Sequence, residues 1–218
     1  SSVSVVFYRA EPGTGSALFN MPMKNAHKKF IEGGIYHVYN RGVNKQPIFF
    51  EDSDFNIFLG LLDRYILGNS PDFYHDTKNY RGRISLLAFC LLNNHIHLLV
   101  QQKDKKALTE FMHSLMTSFT MRINKKYDRV GHLFQGIYKA RLIENDEDLL
   151  NVSKYIHTNG GDDEIDFFRY PFSSVRVYLG RTWEYLFVDP RIISGLSPAA
   201  DYREFLLASE KRAQPLEG

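Results

Sequence analysis

The chain holds one cysteine, Cys90, among 218 residues. An internal disulfide is therefore excluded, and so is a zinc cluster built from several thiolates. Long apolar runs are lacking as well. The longest, Leu86 to Leu92, covers seven residues, against the roughly 20 that a membrane-spanning helix needs. Neither sign of charge dominates: 27 Lys and Arg face 25 Asp and Glu, a formal +2. What is present is the mixture of a globular protein, 44% hydrophobic and 24% charged, and enough length for one compact domain with a real core, with or without an appendage. The expected setting is intracellular, with no membrane partner.

The balanced total hides an uneven spread. From Lys103 to Arg141 nine basic residues face three acidic ones, and from Glu144 to Asp166 eight acidic residues face one basic. A basic block in a near-neutral protein reads either as a surface for a polyanion or as a solvated helix face.

Residues 1–22 are rich in Ser and Gly, precede Met23 and differ in character from the rest of the chain; they read as a leader or an added segment outside the fold. Ile35 to Asn40 is β-branched and aromatic and predicts a strand. Asp52 or Ser53 can cap a helix carrying Phe55, Phe58, Leu59, Leu62 and Ile66 at helical spacing. Gly68 to Asn79 is polar and reads as a loop. Ile84 to Leu92 predicts a buried strand, Asn93-Asn94 a turn, and His95 to Gln101 the second arm of a hairpin. Leu108, Phe111, Met112, Leu115, Met116, Phe119 and Ile123 mark a long amphipathic helix. His132 to Ile143 predicts a further strand. Asp146 can cap a last helix that Gly160-Gly161 stops. The order strand, helix, hairpin, helix, strand, helix predicts an α+β sandwich with a largely antiparallel sheet. Residues 23–170 would form this unit and 171–218 a C-terminal extension, held back by Trp183, Tyr185 and Phe187.

Two groups carry chemistry. In Asn94-His95-Ile96-His97 a strand aims both imidazoles to one side and Ile96 to the other. Such a pair at a strand end, where the sheet meets solvent, can share a divalent metal; it can also be two hydrogen-bonded histidines. In Tyr155-Ile156-His157-Thr158-Asn159 the phenol and the amide lie four apart and share a helix face. The amide oxygen can complete a metal site and the phenol can act as a nucleophile; packing and a helix-end hydrogen bond are the plainer alternatives. Tyr127 and Tyr138 compete for the nucleophile's role. Tyr127 sits among Lys125, Lys126 and Arg129, a combination suited to stacking on a base. His113, His132 and His157 have no evident partner.

These residues carry a resemblance. His95-Ile96-His97 looks like the HUH motif of single-tyrosine HUH transposases. Tyr36-His37-Val38-Tyr39-Asn40-Arg41-Gly42, Phe134-Gln135-Gly136-Ile137-Tyr138-Lys139-Ala140, Asp148-Leu149-Leu150, Tyr155-Ile156-His157 with Asn159, and Tyr170-Pro171-Phe172-Ser173-Ser174 resemble, in this order, the REP-associated tyrosine transposases of the IS200-like group. Gly160 stands where that group usually has proline. The resemblance implies a ferredoxin-like core and metal-dependent cleavage and joining of single-stranded DNA beside a hairpin. By it His95 and His97 match the metal pair, Asn159 the third metal-side group, Tyr155 the nucleophile, and Mg²⁺ or Mn²⁺ the cofactor. It also implies a prokaryotic cytoplasmic, nucleoid-associated protein, acting as a monomer or a homodimer. Arg41, Lys103, Lys105, Lys106, Arg122, Lys125, Lys126, Tyr127, Arg129, Lys139 and Arg141 are the candidates for DNA contact.

Other chemistries fit less well. A histidine-triad hydrolase wants a third His where Leu99 stands, and a two-motif phosphodiesterase wants two separate His-x-Ser/Thr copies. A hairpin-binding module with a decayed site is the non-enzymatic alternative.

Overall fold

The computed structural model of the chain describes residues 30–68, 78–160, 166–181, 183–197 and 201–208. The segment read as a leader and most of the polar loop after Gly68 lie outside them. Four strands, β1 (Ile35–Arg41), β2 (Ile84–Leu92), β3 (His95–Gln102) and β4 (Lys139–Leu142), form one sheet in the order β2-β3-β1-β4. Every pairing is antiparallel. Helices α1 (Asp52–Leu67) and α2 (Ala107–Lys126) connect them, and α3 (Asp146–Thr158) follows β4. This is the α+β sandwich that the order of elements predicts, with the ferredoxin-like strand order that the resemblance implies.

Strand alternation divides the sheet into two faces. On β3, Ile96, Leu98 and Val100 look toward α1 and α2; Gln102, of the same parity, accepts a hydrogen bond from the Leu108 amide of α2 at 3.1 Å. Phe49, Phe58 and Phe119 close this layer with ring centroids 5.0–5.8 Å apart, and all three are buried. His95, His97 and Leu99 look the other way, under α3. Truncating one of the buried phenylalanines removes about 3–5 kcal/mol.

Two helix starts differ by a residue from the sequence reading. Helix α1 is capped at Glu51, because Asp54 in its first turn accepts the amides of Phe50 and Glu51 at 2.8 and 3.2 Å. Helix α3 is capped at Asn145, whose side chain accepts the Asp148 amide at 2.8 Å.

The strand expected over His132–Ile143 is interrupted. Phe134 bridges Gly42 and Lys139 pairs with Tyr39. Four residues thus span a stretch that β1 covers with two, and with this surplus of two the segment Gln135-Gly136-Ile137 bulges out, Gln135 still donating its amide to the Arg41 carbonyl at 2.8 Å. Leu133 and Phe134 are buried together and Tyr138 alone, while Ile137 is 83% exposed. Asn40 holds the bulge by donating to the Gly136 carbonyl at 3.1 Å. Gly42 must be glycine here, since a Cβ would stand 2.1 Å from the Gln46 carbonyl oxygen.

The chain beyond Tyr170 lies along the outer edge of β2. The Leu91 amide donates to the Phe172 carbonyl at 2.9 Å, the Ser174 amide to Phe89 at 3.0 Å, and the Asp189 amide to Leu86 at 2.8 Å. Short helices α4 (Val175–Tyr178), α5 (Arg191–Leu196) and α6 (Tyr202–Leu207) follow, the last two against α3. Tyr185 and Phe187 do anchor this part, on Phe89 at 5.1 and 6.0 Å. Trp183 does not; it is 71% exposed. No helix among the described residues is long and apolar enough to cross a membrane.

Candidate functional site

The register of β1 against β3 assembles the site. Tyr39 faces His97 and Arg41 faces His95, and Lys139 of β4 stands beside Tyr39, with its ammonium 5.6 Å from the Tyr39 ring centroid. Because paired residues share a face, all of these side chains emerge on the side of the sheet away from α1 and α2. The His95 and His97 rings lie 5.0 Å apart and perpendicular. The pair is not at a solvent edge as its sequence position suggested. Strand β3 is internal, and His97 is 1% exposed; only His95, at the strand end, is half-buried.

A third imidazole joins them. His37 of β1, also 1% exposed, places Nε2 3.0 Å from His97 Nδ1, with the rings near parallel at 5.2 Å. His97 Nε2 and His37 Nδ1 are then left buried with no hydrogen-bond partner. His95 Nδ1 lies 2.6 Å from Asn94 Oδ1. With that oxygen accepting, Nδ1 carries the hydrogen and Nε2 the lone pair. Burial drives the basicity of His97 far below the ordinary histidine value, and His37, His95 and Arg41 push it the same way. Burial likewise lowers His37 to about 4, with Arg141 adding to the drop and Asp148 opposing it. Both imidazoles are neutral at pH 7, the form that binds metals.

Helix α3 closes over this group. The Tyr155 ring stands edge-on to His97 at 5.4 Å and to His37 at 6.0 Å. Asn159, one turn on, is the C-terminal cap of α3 and still in helical conformation; its Nδ2 is buried without a partner. The helix is fixed at its start by Asp148, which takes both outer nitrogens of Arg141 at 2.8 Å. It is fixed at its end by Gly160, where a Cβ would meet the Tyr170 ring at 2.5 Å.

Beside the histidines opens a cleft of about 440 Å³. Tyr39, Asn40 and Arg41 line it from β1, Lys45 from the following turn, His95 and His97 from β3, Gln135, Gly136 and Ile137 from the bulge, and Lys139 from β4. Three of these are cations and none is an acid. Tyr155 is not a lining residue; it meets the histidines from the α3 side.

A divalent cation fits this donor set in part. His95 and His97 present two imidazoles, that of His97 held neutral by burial, and the unpartnered Nε2 of buried His97 is a nitrogen in want of a partner. Among the described residues no group of three or more His, Cys, Asp or Glu is arranged to hold a metal, so a third protein donor would be of another kind, an amide, a phenol or a backbone carbonyl.

The other candidates divide. Arg41 and Lys139 line the cleft. Lys103, Lys105 and Lys106 follow the far end of β3, whose eight residues at about 3.3 Å each put them roughly 25 Å from His95. Lys126 is bound to Glu51 and Asp54 at 2.6 Å, and the Tyr127 hydroxyl donates to Asp54 at 2.8 Å. That pairing ties α2 to α1. Arg141 is committed to Asp148. Arg122 and Lys125 are exposed on α2, and Arg129 packs over Phe50 at 5.5 Å. His157, fully buried, bonds Tyr202 and Ser174 at 2.8 and 2.7 Å. Sequence reasoning missed His37, Lys45 and Ile137 as site residues. The sign for His37 was its alternation with Tyr39 and Arg41, which becomes informative only once β1 is paired with β3.

Residues 74–159 match the family model described as "Transposase IS200 like". Among solved structures the fold is similar to a REP-associated tyrosine transposase bound to a REP hairpin, with a TM-score of 0.54 and 14% sequence identity, over 73% of this chain and 87% of that one. The curated proteins contain no match.

Proposed function

From the match of residues 74–159 to the IS200-like transposase model, we infer a single-stranded DNA endonuclease and strand transferase that works next to DNA hairpins. The observation that supports this most is the meeting of the His95–His97 pair with the Tyr155 ring, 5.4 Å from His97, beside a cleft with three cations and no carboxylate.

The chemistry follows from these groups. Arg41, Lys45 and Lys139 attract the phosphate backbone and lower the repulsion that an anionic diester offers a nucleophile. The Tyr155 oxygen attacks phosphorus, and the bond from phosphorus to the 3′ oxygen breaks. The phenol loses its proton and the departing oxygen gains one. One strand end is left as a 5′-phosphotyrosine on Tyr155 and the other as a free 3′ hydroxyl. The linkage conserves the diester's energy, so a second 3′ hydroxyl can displace Tyr155 and join strands without ATP. His95 and His97, with Asn159, would hold a divalent cation, Mg²⁺ or Mn²⁺, whose contribution when bound is to polarise the scissile phosphate and favour the phenolate. Burial of His97 keeps its imidazole neutral for that purpose.

Labelled hairpin DNA with a single-stranded flank tests the reading. The wild-type chain is expected to form a denaturation-resistant adduct in Mg²⁺ or Mn²⁺, and Tyr155→Phe to form none. An adduct that survives in Tyr155→Phe removes Tyr155 as nucleophile. Cleavage indifferent to EDTA removes the metal from His95 and His97. Binding without any cleavage leaves the hairpin-binding module as the function.

A further inference from the structure

Two buried imidazoles share a single hydrogen. His37 Nε2 and His97 Nδ1 stand 3.0 Å apart, both rings are 1% exposed, and only one of the facing nitrogens can carry the proton. The outer nitrogen of each ring is buried and unpartnered. A leucine or phenylalanine at position 37 would spare the buried, unpartnered His37 Nδ1 but would strip His97 Nδ1 of its partner, so the histidine there does more than fill space. The choice of donor decides what His97 offers on its other side. If His97 donates from Nδ1, its Nε2 keeps a lone pair. If His37 donates, His97 Nε2 bears a hydrogen and can bind no cation. His95 is already set the first way, since its Nδ1 hydrogen goes to Asn94 Oδ1 at 2.6 Å. The two residues would then present identical tautomers.

We propose that His37 is a positioning residue for the cation pair: it accepts the Nδ1 hydrogen of His97 across the β1–β3 ladder and leaves His97 Nε2 as a fixed electron-pair donor. Asn94 does the same for His95. The role rests on the reading of His95 and His97 as cation ligands, and it extends that reading to the residue that orients one of them. Partners of this kind set ring angle and basicity of a ligating histidine, and their loss costs about 10- to 100-fold in metal affinity.

The test uses the full chain without DNA and reads Mn²⁺ uptake by calorimetry, with thermal melting as the check on folding. His37→Leu is expected to bind Mn²⁺ about 10- to 100-fold more weakly than wild type. His37→Gln, which can place an amide oxygen where Nε2 accepts, is expected to recover most of that loss. Nitrogen-15 spectra of histidine-labelled wild-type protein give the tautomers directly and do not depend on any variant folding: His97 is expected to carry its hydrogen on Nδ1. Unchanged Mn²⁺ affinity in a folded His37→Leu, or a hydrogen on His97 Nε2, overturns the role of His37 while leaving the cation pair standing. Wild-type protein that takes up no Mn²⁺ overturns the pair itself.

Discussion

His157 shows how much of helix α3 depends on residues far from it in the chain. It is fully buried, bonds Tyr202 on one side and Ser174 on the other, and burial lowers its pKa to about 3. The folded state therefore holds it neutral, whereas the unfolded chain protonates it below about 6.5. The unfolded state binds more protons in that window, so stability is fully present above pH 6.5 and drains away as the pH falls toward 3. Each histidine held in this way adds about 1.4 kcal/mol per pH unit to the slope. His157→Gln is expected to flatten the decline in urea-unfolding free energy between pH 6 and 4 by about that amount. An unchanged slope would mean that His157 is not the buried titrating group. In the sequence His157 had no visible partner, because both of its partners lie beyond the end of its helix, in segments whose approach only the folded sheet dictates. His37 was hidden for the same reason, 60 residues from its contact.

At the scale of elements, legibility followed the length of the pattern. Strand β1 was readable to within a residue at its end, the β2–β3 hairpin likewise, and α2 by seven apolar positions of which six are buried and Met116 partly so. Long periodic signals outweigh local noise. The bulge at Gln135-Gly136-Ile137 was not readable, because apolar residues on either side of it, buried at Phe134 and Tyr138, make the run look continuous. Neither was the 3-10 turn Val43–Lys45, where Asn44 and Lys45 take left-handed backbone angles. Gly160 is the clearest element-level constraint. It ends α3 against the Tyr170 ring, and Tyr170 in turn donates to the Leu91 carbonyl at 2.7 Å. Gly160→Ala is expected to lower stability by about 1–3 kcal/mol, the usual cost of forcing extra volume into a packed site. A denaturation midpoint equal to wild type would show that the ring gives way without strain.

Over the whole molecule, charge and topology select which basic residues can serve one stretch of nucleic acid. The basic block seen in the sequence is not one patch. Its lysines at 103, 105 and 106 lie past the far end of β3, its Lys126 and Arg141 are spent on carboxylates, and Lys139 joins Arg41 and Lys45 at the cleft. For a single-stranded oligonucleotide short enough to sit in the cleft, Lys139→Ala is expected to reduce the slope of log affinity against log salt by about 0.7, one phosphate's share. Lys103→Ala should leave that slope alone. Equal effects from the two would mean that the strand follows another path.

The run from Phe172 to Ser174 that lies along β2 has one more consequence. A sheet's exposed margin invites a neighbouring chain to zip onto it. Here one margin is already occupied by the protein's own downstream segment, and the other, β4, has only four residues to offer. Crowded copies of this chain thus find little ladder to extend, and fibrillar stacking must wait until Tyr170–Ser174 peels away.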